Sequence, residues 1–341
     1  MELSVRGFVS LRVYLRYLTH SLMLPVLESG EETLVGGQAV MEGVMMRAPH
    51  SYCVAVRRKS GEIVTEEMLL PRISERYPIF KLPVFRGMGT LFQAMKLGIK
   101  ALQFSSNIYV EDEAQAQCQK NPAAKPPKEL PKWVLTANLI VMVGSFLFLY
   151  KFLPLYLATL LGKTYPALSA GLAFNFMDGA IRIGIFLAFM FALSRLKDIQ
   201  RLFQYHGAEH KVVFNFESGQ PVSVEAAQKF TTYHPRCGTS FLMLLMLVSM
   251  CFYVFIPFTG FLPKLAMRIA LVPLIVGVCY EMIRYAAKHP GGLLTVLTTP
   301  GLWLQRITTQ PPSDGQTEVA VYALDHAMSL EKSQGGELII G

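Results

Sequence analysis

Charged residues are scarce in this sequence. They make up only 16% of its 341 residues, whereas soluble globular domains carry about 25%. Hydrophobic residues account for 52%, and the mean hydropathy is +0.36. This shortage of charge argues against an ordinary water-soluble enzyme and against intrinsic disorder. The formal net charge of +8 does not indicate a nucleic-acid partner, because membrane proteins carry surplus basic residues on their cytoplasmic side.

Cysteine is also scarce and forms no pattern. The five cysteines are scattered along the chain, and Cys251 and Cys279 lie within strongly apolar runs. The paired spacings of a disulfide framework are missing. The sequence therefore predicts no disulfide-stabilised scaffold.

A cleavable signal peptide is missing too. The N-terminal apolar run is interrupted by Arg12 and Arg16, and no small-residue cleavage site follows. On a helical projection, the large apolar residues of positions 8–22 form one stripe and the basic residues form another. Residues 1–32 are therefore predicted to be an amphipathic helix on the membrane surface. A first helix packed on the following domain fits the pattern equally well.

Long apolar segments are what the sequence has in abundance. A transmembrane helix needs about 20 mostly apolar residues. Four segments meet this length, namely Trp133 to Tyr150, about Leu172 to Ser194, Cys237 to Pro263, and about Leu265 to Arg284. The second contains Asp178 and Arg182, which are four residues apart and can neutralise each other. We expect an α-helical polytopic membrane protein with about four transmembrane helices.

The remaining segments predict a small N-terminal α+β cytoplasmic unit, residues 33–105. In it, Tyr52–Arg58 and Glu62–Met68 are strand-like and joined by a Lys-Ser-Gly turn, and a helix runs from Phe85 to Phe104. Residues 106–131 are acidic, glutamine-rich and then proline-rich, which predicts a linker. A four-span membrane domain is expected over 132–290 and a cytoplasmic tail over 291–341, with a helix near Gln316–Leu330.

Basic residues at the ends of the spans predict the orientation. They are more numerous on the side that carries residues 195–238. By the positive-inside rule, this loop and both termini lie in the cytoplasm of a cell with a bacterial type of membrane.

The loop 195–238 carries the first candidate for chemistry. His206 and His210 are one helical turn apart, the spacing at which two imidazoles can reach one metal ion. Glu209 beside them can accept a proton from a water in the site. The run from His206 to His210 fits the H-x-x-E-H pattern of inverzincin metallopeptidases. A pair of core histidines bonded to backbone carbonyls or to Glu281 is the plainer interpretation.

A second cluster precedes the third predicted span. Pro235 favours an extended conformation for His234, and Cys237 lies next to a basic residue at a helix N-terminus, which favours the thiolate form. Imidazoles and a thiolate together suit Zn²⁺. Glu281, at the end of the fourth predicted span, is a further candidate ligand. The alternatives are a helix-entry turn with a buried cysteine, and a salt bridge between Glu281 and Arg284.

Longer motifs point to a known family. The sequence resembles the YqhQ-like family, bacterial multi-pass membrane proteins of unknown function that are catalogued as predicted metal-dependent enzymes. The resemblance rests on six runs: 35–47, 85–87, 205–211, 234–240, 280–281 and 300–305. It covers the chain from about Leu34 to Leu324. It implies a metal and catalysis, and it implies no particular substrate. The glycine-rich run from Gly36 to Arg47 is either a close approach to the site or a plain connection between elements.

Three functions follow from these patterns. The first is a membrane-embedded zinc hydrolase with Glu209 as general base, acting on a lipid head group or a juxtamembrane peptide. Its metal ligands would be His206, His210 and one or more of His234, Cys237 and Glu281. The second is a membrane scaffold or assembly factor with a structural metal, and the third is a transporter component. No nucleic-acid partner is expected, membrane lipids are, and the oligomeric state is left open.

Overall fold

The computed structural model describes residues 35–71, 73–120, 132–169, 171–234, 237–258, 260–288 and 293–333. The predicted surface helix of residues 1–32 lies outside the described residues, as does residue range 121–131 of the predicted linker.

A four-stranded antiparallel sheet opens the described part of the chain. Its strands are β1 (Gly36–Val40), β2 (Gly43–Arg47), β3 (Ser51–Arg57) and β4 (Ile63–Leu69), and they lie in sequential order. The one predicted hairpin is confirmed, because β3 pairs with β4. The first hairpin was not predicted, since glycine is unusual in strands. Glycine is needed at position 43 because a Cβ there would lie 2.2 Å from the carbonyl oxygen of Ala55.

Helices make up most of the rest of the chain. They are α1 (Ile73–Arg76), α2 (Phe85–Lys120), α3 (Lys132–Leu147), α4 (Leu153–Thr164), α5 (Gly171–Leu193), α6 (Lys197–Glu217), α7 (Val224–Gln228), α8 (Gly238–Val254), α9 (Phe261–Ala270), α10 (Val272–Lys288), α11 (Leu293–Thr308) and α12 (Asp314–Ser333). A π turn, Phe148–Phe152, joins α3 to α4.

Both faces of the sheet are covered. Alternate residues of β2 and β3 point to opposite sides. Met45 and Val54 pack with Leu97 of α2 on one face, whereas Met46 and Ala55 pack with α6 and α12 on the other. The predicted C-terminal helix is present as α12, and it is part of this core, with its small residues buried against the sheet.

The helix predicted from Phe85 begins there and continues to Lys120. Residues 106–120, predicted as linker, are therefore helical. The carboxylate of Asp112 accepts hydrogen bonds from the side chain of Arg58, at 3.1 Å, and from the backbone N–H of Lys59, at 2.8 Å. Asp112, one of the acidic residues on which the linker prediction rested, thus ties α2 to the β3–β4 turn.

The apolar helices differ in number and position from the prediction. By length and composition, Val143–Thr164 and Gly171–Leu193 could each cross a membrane, and α9 with α10 forms a third candidate bent by 45°. The first candidate begins at Val143 and continues through Lys151 to Thr164, where the sequence predicted a span from Trp133 to Tyr150. The ammonium group of Lys151 instead donates a hydrogen bond to the hydroxyl of Tyr253 at 2.8 Å.

The third predicted span is the largest difference. The apolar run from Cys237 to Pro263 is not one helix, because α8 ends at Val254 after 17 residues and a non-helical segment with Pro257 follows. Within the described residues, the structure therefore supports two or three candidate spans where the sequence predicted about four.

Candidate metal centre

The first two candidate ligands lie on α6. Its helical spacing places His206 and His210 one turn apart, with ring centres 4.4 Å apart. The Nδ1 atom of His206 lies 2.8 Å from the carbonyl oxygen of Thr308, and that of His210 lies 2.5 Å from the carbonyl oxygen of Thr232. A carbonyl oxygen can only accept, so Nδ1 carries the proton in each neutral ring. Both Nε2 atoms therefore present lone pairs, as metal-binding histidines do.

Cys237 supplies a third donor from another element. It is the residue before α8, and its extended backbone turns the chain into the helix. Its sulfur lies 3.3 Å from Nε2 of His206 and 3.2 Å from the hydroxyl of Thr239. The donor atoms of His206, His210 and Cys237 all lie within 4.8 Å of one another.

This donor set fits a divalent metal ion. Ligands held 2.0–2.3 Å from a tetrahedral zinc lie about 3.5 Å from one another, which is close to the separation of the cysteine sulfur and the first imidazole. Imidazole nitrogen and cysteine sulfur are the ligands that zinc prefers. His210 and Cys237 are 2% and 5% exposed, so water competes little for the position between them.

Glu209 borders the three donors. One of its carboxylate oxygens lies 3.6 Å from Nε2 of His210 and 3.9 Å from Nε2 of His206. The residue is 7% exposed, whereas the side chain of His206 is 16% exposed and gives the site its contact with solvent. A carboxylate at this distance can take up or release a proton beside the position between the donors.

The sheet covers this carboxylate, which the sequence did not predict. A Cβ at Gly37 of β1 would lie 2.6 Å from Cγ of Glu209 and 2.7 Å from the carbonyl oxygen of Met45. Glycine is thus the residue that lets β1 approach α6. At this position the glycine-rich run therefore brings β1 close to the site.

The turn between β1 and β2 contacts α6 on the same helical face, one and two turns before Glu209. Glu42, at φ 53°, forms a two-pronged ion pair with Arg201 and accepts a hydrogen bond from the hydroxyl of Tyr205 at 3.3 Å. Burial, and then the charge of Glu42, raise the pKa of Tyr205. This turn therefore holds α6 at Tyr205, the residue directly before His206. Arg47 has a different role, since it donates to Gln93 at 3.1 Å.

His234 lies beside the three donors with a different partner. Its ring centre is 5.7 Å from that of His210, and its Nε2 lies 3.3 Å from a carboxylate oxygen of Glu217. Its backbone N–H donates to the buried side chain of Gln305 at 2.7 Å, and Gln305 donates back to its carbonyl. Burial lowers the pKa of His234, and the charge of Glu209 partly opposes this.

Glu281 lies apart from the other candidates. Its carboxylate is paired with the guanidinium of Arg86 and accepts a further hydrogen bond from the backbone N–H of Val84 at 3.2 Å. The structure thus favours the salt-bridge interpretation of Glu281, with Arg86 as the partner where the sequence suggested Arg284. The 85–87 and 280–281 runs meet here, because a Cβ at Gly87 would lie 2.5 Å from Tyr280.

Sequence reasoning missed the residues that orient the imidazoles. Thr232 and Thr308 act through backbone carbonyls, which carry no side-chain signal. Gly207 offered a signal, because a Cβ there would lie 2.1 Å from the carbonyl oxygen of Gln310. That glycine lets the segment after α11 lie against α6, where Thr308 meets His206.

The fold and site together define a mostly helical protein with a small antiparallel sheet, apolar helices that could span a membrane, and a His/Cys cluster that could hold a metal ion. The model of a family described as "Protein of unknown function (DUF1385)" matches residues 82–330, and the chain belongs to this family. It is 34% identical over 306 residues to the uncharacterized protein YqhQ of Bacillus subtilis strain 168, covering 87% of this chain and 92% of that protein. The resemblance noted from the sequence is confirmed. No solved structure matches the chain.

Proposed function

We propose that this protein is a metal-dependent hydrolase whose metal is held by His206, His210 and Cys237. The observation that carries the proposal is the gathering of three donor atoms within 4.8 Å of one another, with the carboxylate of Glu209 beside them. Catalytic zinc sites have three protein ligands and an open position, whereas structural sites have four. The three-donor arrangement favours the catalytic kind.

Zinc is the ion that this donor set suits best. When bound, a zinc ion would supply Lewis-acid chemistry and bring the pKa of a water towards neutrality. Glu209 would accept the proton from that water and return it to the leaving group. The carbonyls of Thr232 and Thr308 would keep both imidazoles in the tautomer that presents Nε2.

The site's surroundings support a substrate at the membrane surface. α6, which carries the histidines, directly follows the apolar α5, and Cys237 directly precedes the apolar α8. We propose that these helices cross a bacterial cell membrane, with the site and both termini in the cytoplasm. A lipid head group or a juxtamembrane peptide would then reach the site. A topology of four spans requires that α8 and the residues after it cross together, because 17 helical residues reach only about 26 Å.

One observation favours a second candidate, a scaffold with a structural metal. The ring centre of His234 is 5.7 Å from that of His210. If this ring left Glu217, it would add a fourth ligand and close the site.

A Glu209→Gln variant separates the two candidates. In zinc-loaded protein reconstituted with bacterial membrane lipids, or mixed with juxtamembrane peptides, we expect head-group or peptide cleavage to fall by about 10²–10⁴-fold. Metal content and the unfolding midpoint should stay unchanged. Glu225→Gln, on the exposed face of α7, is the matched control. Wild-type turnover in Glu209→Gln, or no cleavage of either substrate class by the wild-type protein, would contradict the hydrolase and leave the scaffold.

A further inference from the structure

A second group of charged side chains lies among the apolar helices, far from the candidate metal centre. Tyr253, which this group surrounds, is 16 residues after Cys237 on α8, a distance of about 24 Å along the helix. In the sequence ranges 140–190 and 240–275, the charged residues comprise five cations and one carboxylate. They are Lys151, Lys163, Arg182, Lys264, Arg268 and Asp178. We call these six residues the cationic cluster.

The single carboxylate serves two guanidinium groups at once. Asp178 is completely buried, and its two oxygens bind Arg182 and Arg268, the latter at 2.7 Å. Arg182 also donates to the hydroxyl of Ser249 at 2.8 Å. One negative charge therefore faces two buried positive charges.

Tyr253 does not supply the missing negative charge. The guanidinium carbons of Arg182 and Arg268 lie 5.0 Å and 4.6 Å from its ring centre. Its hydroxyl accepts a hydrogen bond from Lys151. An aromatic face attracts cations without carrying a charge. The positive charge of the cluster thus exceeds what its own carboxylate can neutralise.

Two nitrogen atoms of the cluster also lack partners. In the part of the chain that the structure describes, the Nε atoms of Arg182 and Arg268 are buried without a hydrogen bond. These two residues are 3% and 1% exposed. Buried polar atoms are normally paired, and leaving one unpaired destabilises the fold. The surplus positive charge of the cluster indicates an anion nearby.

A cavity lies next to the cluster. Its volume is about 170 Å³, and its lining includes Thr159, Lys163, Ser169, Phe174 and Lys264. Phe174 precedes Asp178 by one turn of α5, and Lys264 precedes Arg268 by one turn of α9. At about 30 Å³ per water, this volume corresponds to five or six waters, enough for one phosphate-sized group.

We propose that this cavity binds a phosphate-class oxyanion through Lys163 and Lys264, with the hydroxyls of Thr159 and Ser169 as further donors. The bound charge would offset the excess of the cationic cluster. A lipid phosphate is the favoured source, because large apolar side chains are exposed on α4, α5 and α9, the helices that line the cavity, and on the segment between α4 and α5. They are Tyr156, Leu160, Tyr165, Leu172 and Leu262. Free phosphate shares the chemistry and is tested alongside.

The test uses the full chain purified in detergent. Native mass spectrometry would measure retention of phosphatidylglycerol against phosphatidylcholine, and thermal unfolding would be followed with and without inorganic phosphate. In the double variant Lys163→Gln/Lys264→Gln we expect anion binding about tenfold weaker or more, the effect of losing charge-assisted hydrogen bonds. Lys197→Gln, an exposed lysine at the start of α6, is the matched control. The variant Lys163→Arg/Lys264→Arg should retain binding, which separates lost charge from a failure to fold.

Three outcomes are distinct. Selective retention of phosphatidylglycerol that the double glutamine variant loses would establish the lipid as the source. Stabilisation of the wild-type protein by inorganic phosphate, without lipid retention, would keep the oxyanion site and assign it to the free ion. A wild-type protein that neither retains the anionic lipid nor gains stability from phosphate would overturn the proposal, as would equal binding by the double glutamine variant.

Discussion

Adjacent glycines in β1 should respond to the same substitution in opposite ways. A Cβ at Gly37 would lie 2.6 Å from Cγ of Glu209, 2.7 Å from the carbonyl oxygen of Met45 and 3.0 Å from the sulfur of Met46. Real Cβ atoms do not come so close, and one of the three contacts is with backbone that cannot rotate away. At Gly36, a Cβ would meet nothing within 4 Å. Gly37→Ala therefore forces β1 away from α6, whereas Gly36→Ala fills open space.

The expected magnitudes follow from these contacts. Overpacking of a closely fitted core costs about 1–3 kcal/mol, so Gly37→Ala should lose that much unfolding free energy and displace the carboxylate of Glu209. Gly36→Ala should be neutral or gain up to about 1 kcal/mol, because alanine loses less backbone entropy than glycine on folding. Chemical denaturation of both variants in the same detergent measures the difference. Equal stability of the two variants would refute the packing of β1 against Glu209.

Two further predictions concern charge. Asp178→Asn should lower the free energy of unfolding by about 3–5 kcal/mol, because it leaves two buried guanidinium groups without their anion. The control Asp198→Asn, in the exposed first turn of α6, should lower it by only about 0.3–1 kcal/mol. Equal denaturation midpoints for Asp178→Asn and Asp198→Asn would contradict the buried pairing of Asp178 with the two arginines. Burial tends to raise the pKa of Glu331, but hydrogen bonds from His50 and Ser51 outweigh it and lower the pKa below its ordinary value of 4.5. A lowered carboxyl pKa stabilises the fold fully above pH 4.5 and progressively less below it. The free energy of unfolding, measured from pH 7 to pH 3, should therefore fall less steeply below pH 4.5 in Glu331→Gln than in the wild-type protein. Identical pH profiles for the two proteins would refute this prediction.

The elements with regular patterns could be predicted from the sequence. The β3–β4 hairpin, the start of α2 and the helix α12 all follow from alternation, helical spacing and turn residues. β1 and β2 could not, because Gly37 serves a contact with α6 and Gly43 serves a contact with β3, and only the folded chain reveals these contacts. The third predicted span failed for a related reason: an apolar run shows that a segment is buried or in lipid, and it does not show where the helix within it ends.

The candidate site divides in the same way. The spacing of His206 and His210 indicated a shared ligand position, and Cys237 was recognised as their companion by its residue type. The partners of His234 and Glu281 were not predictable, because Glu217 and Arg86 approach from other parts of the fold. Their positions are set by tertiary packing, which a single sequence does not encode in any local pattern.

Metal content tests the central claim most directly. Protein purified without chelator should hold about one zinc, or a similar divalent ion, per chain by elemental analysis. His206→Ala, His210→Ala and Cys237→Ser should each lose most of it, whereas His326→Ala, which removes a histidine of α12 that is paired with Glu67 of β4, should keep it. A wild-type protein without metal, or full metal content in the three ligand variants, would contradict the proposed centre.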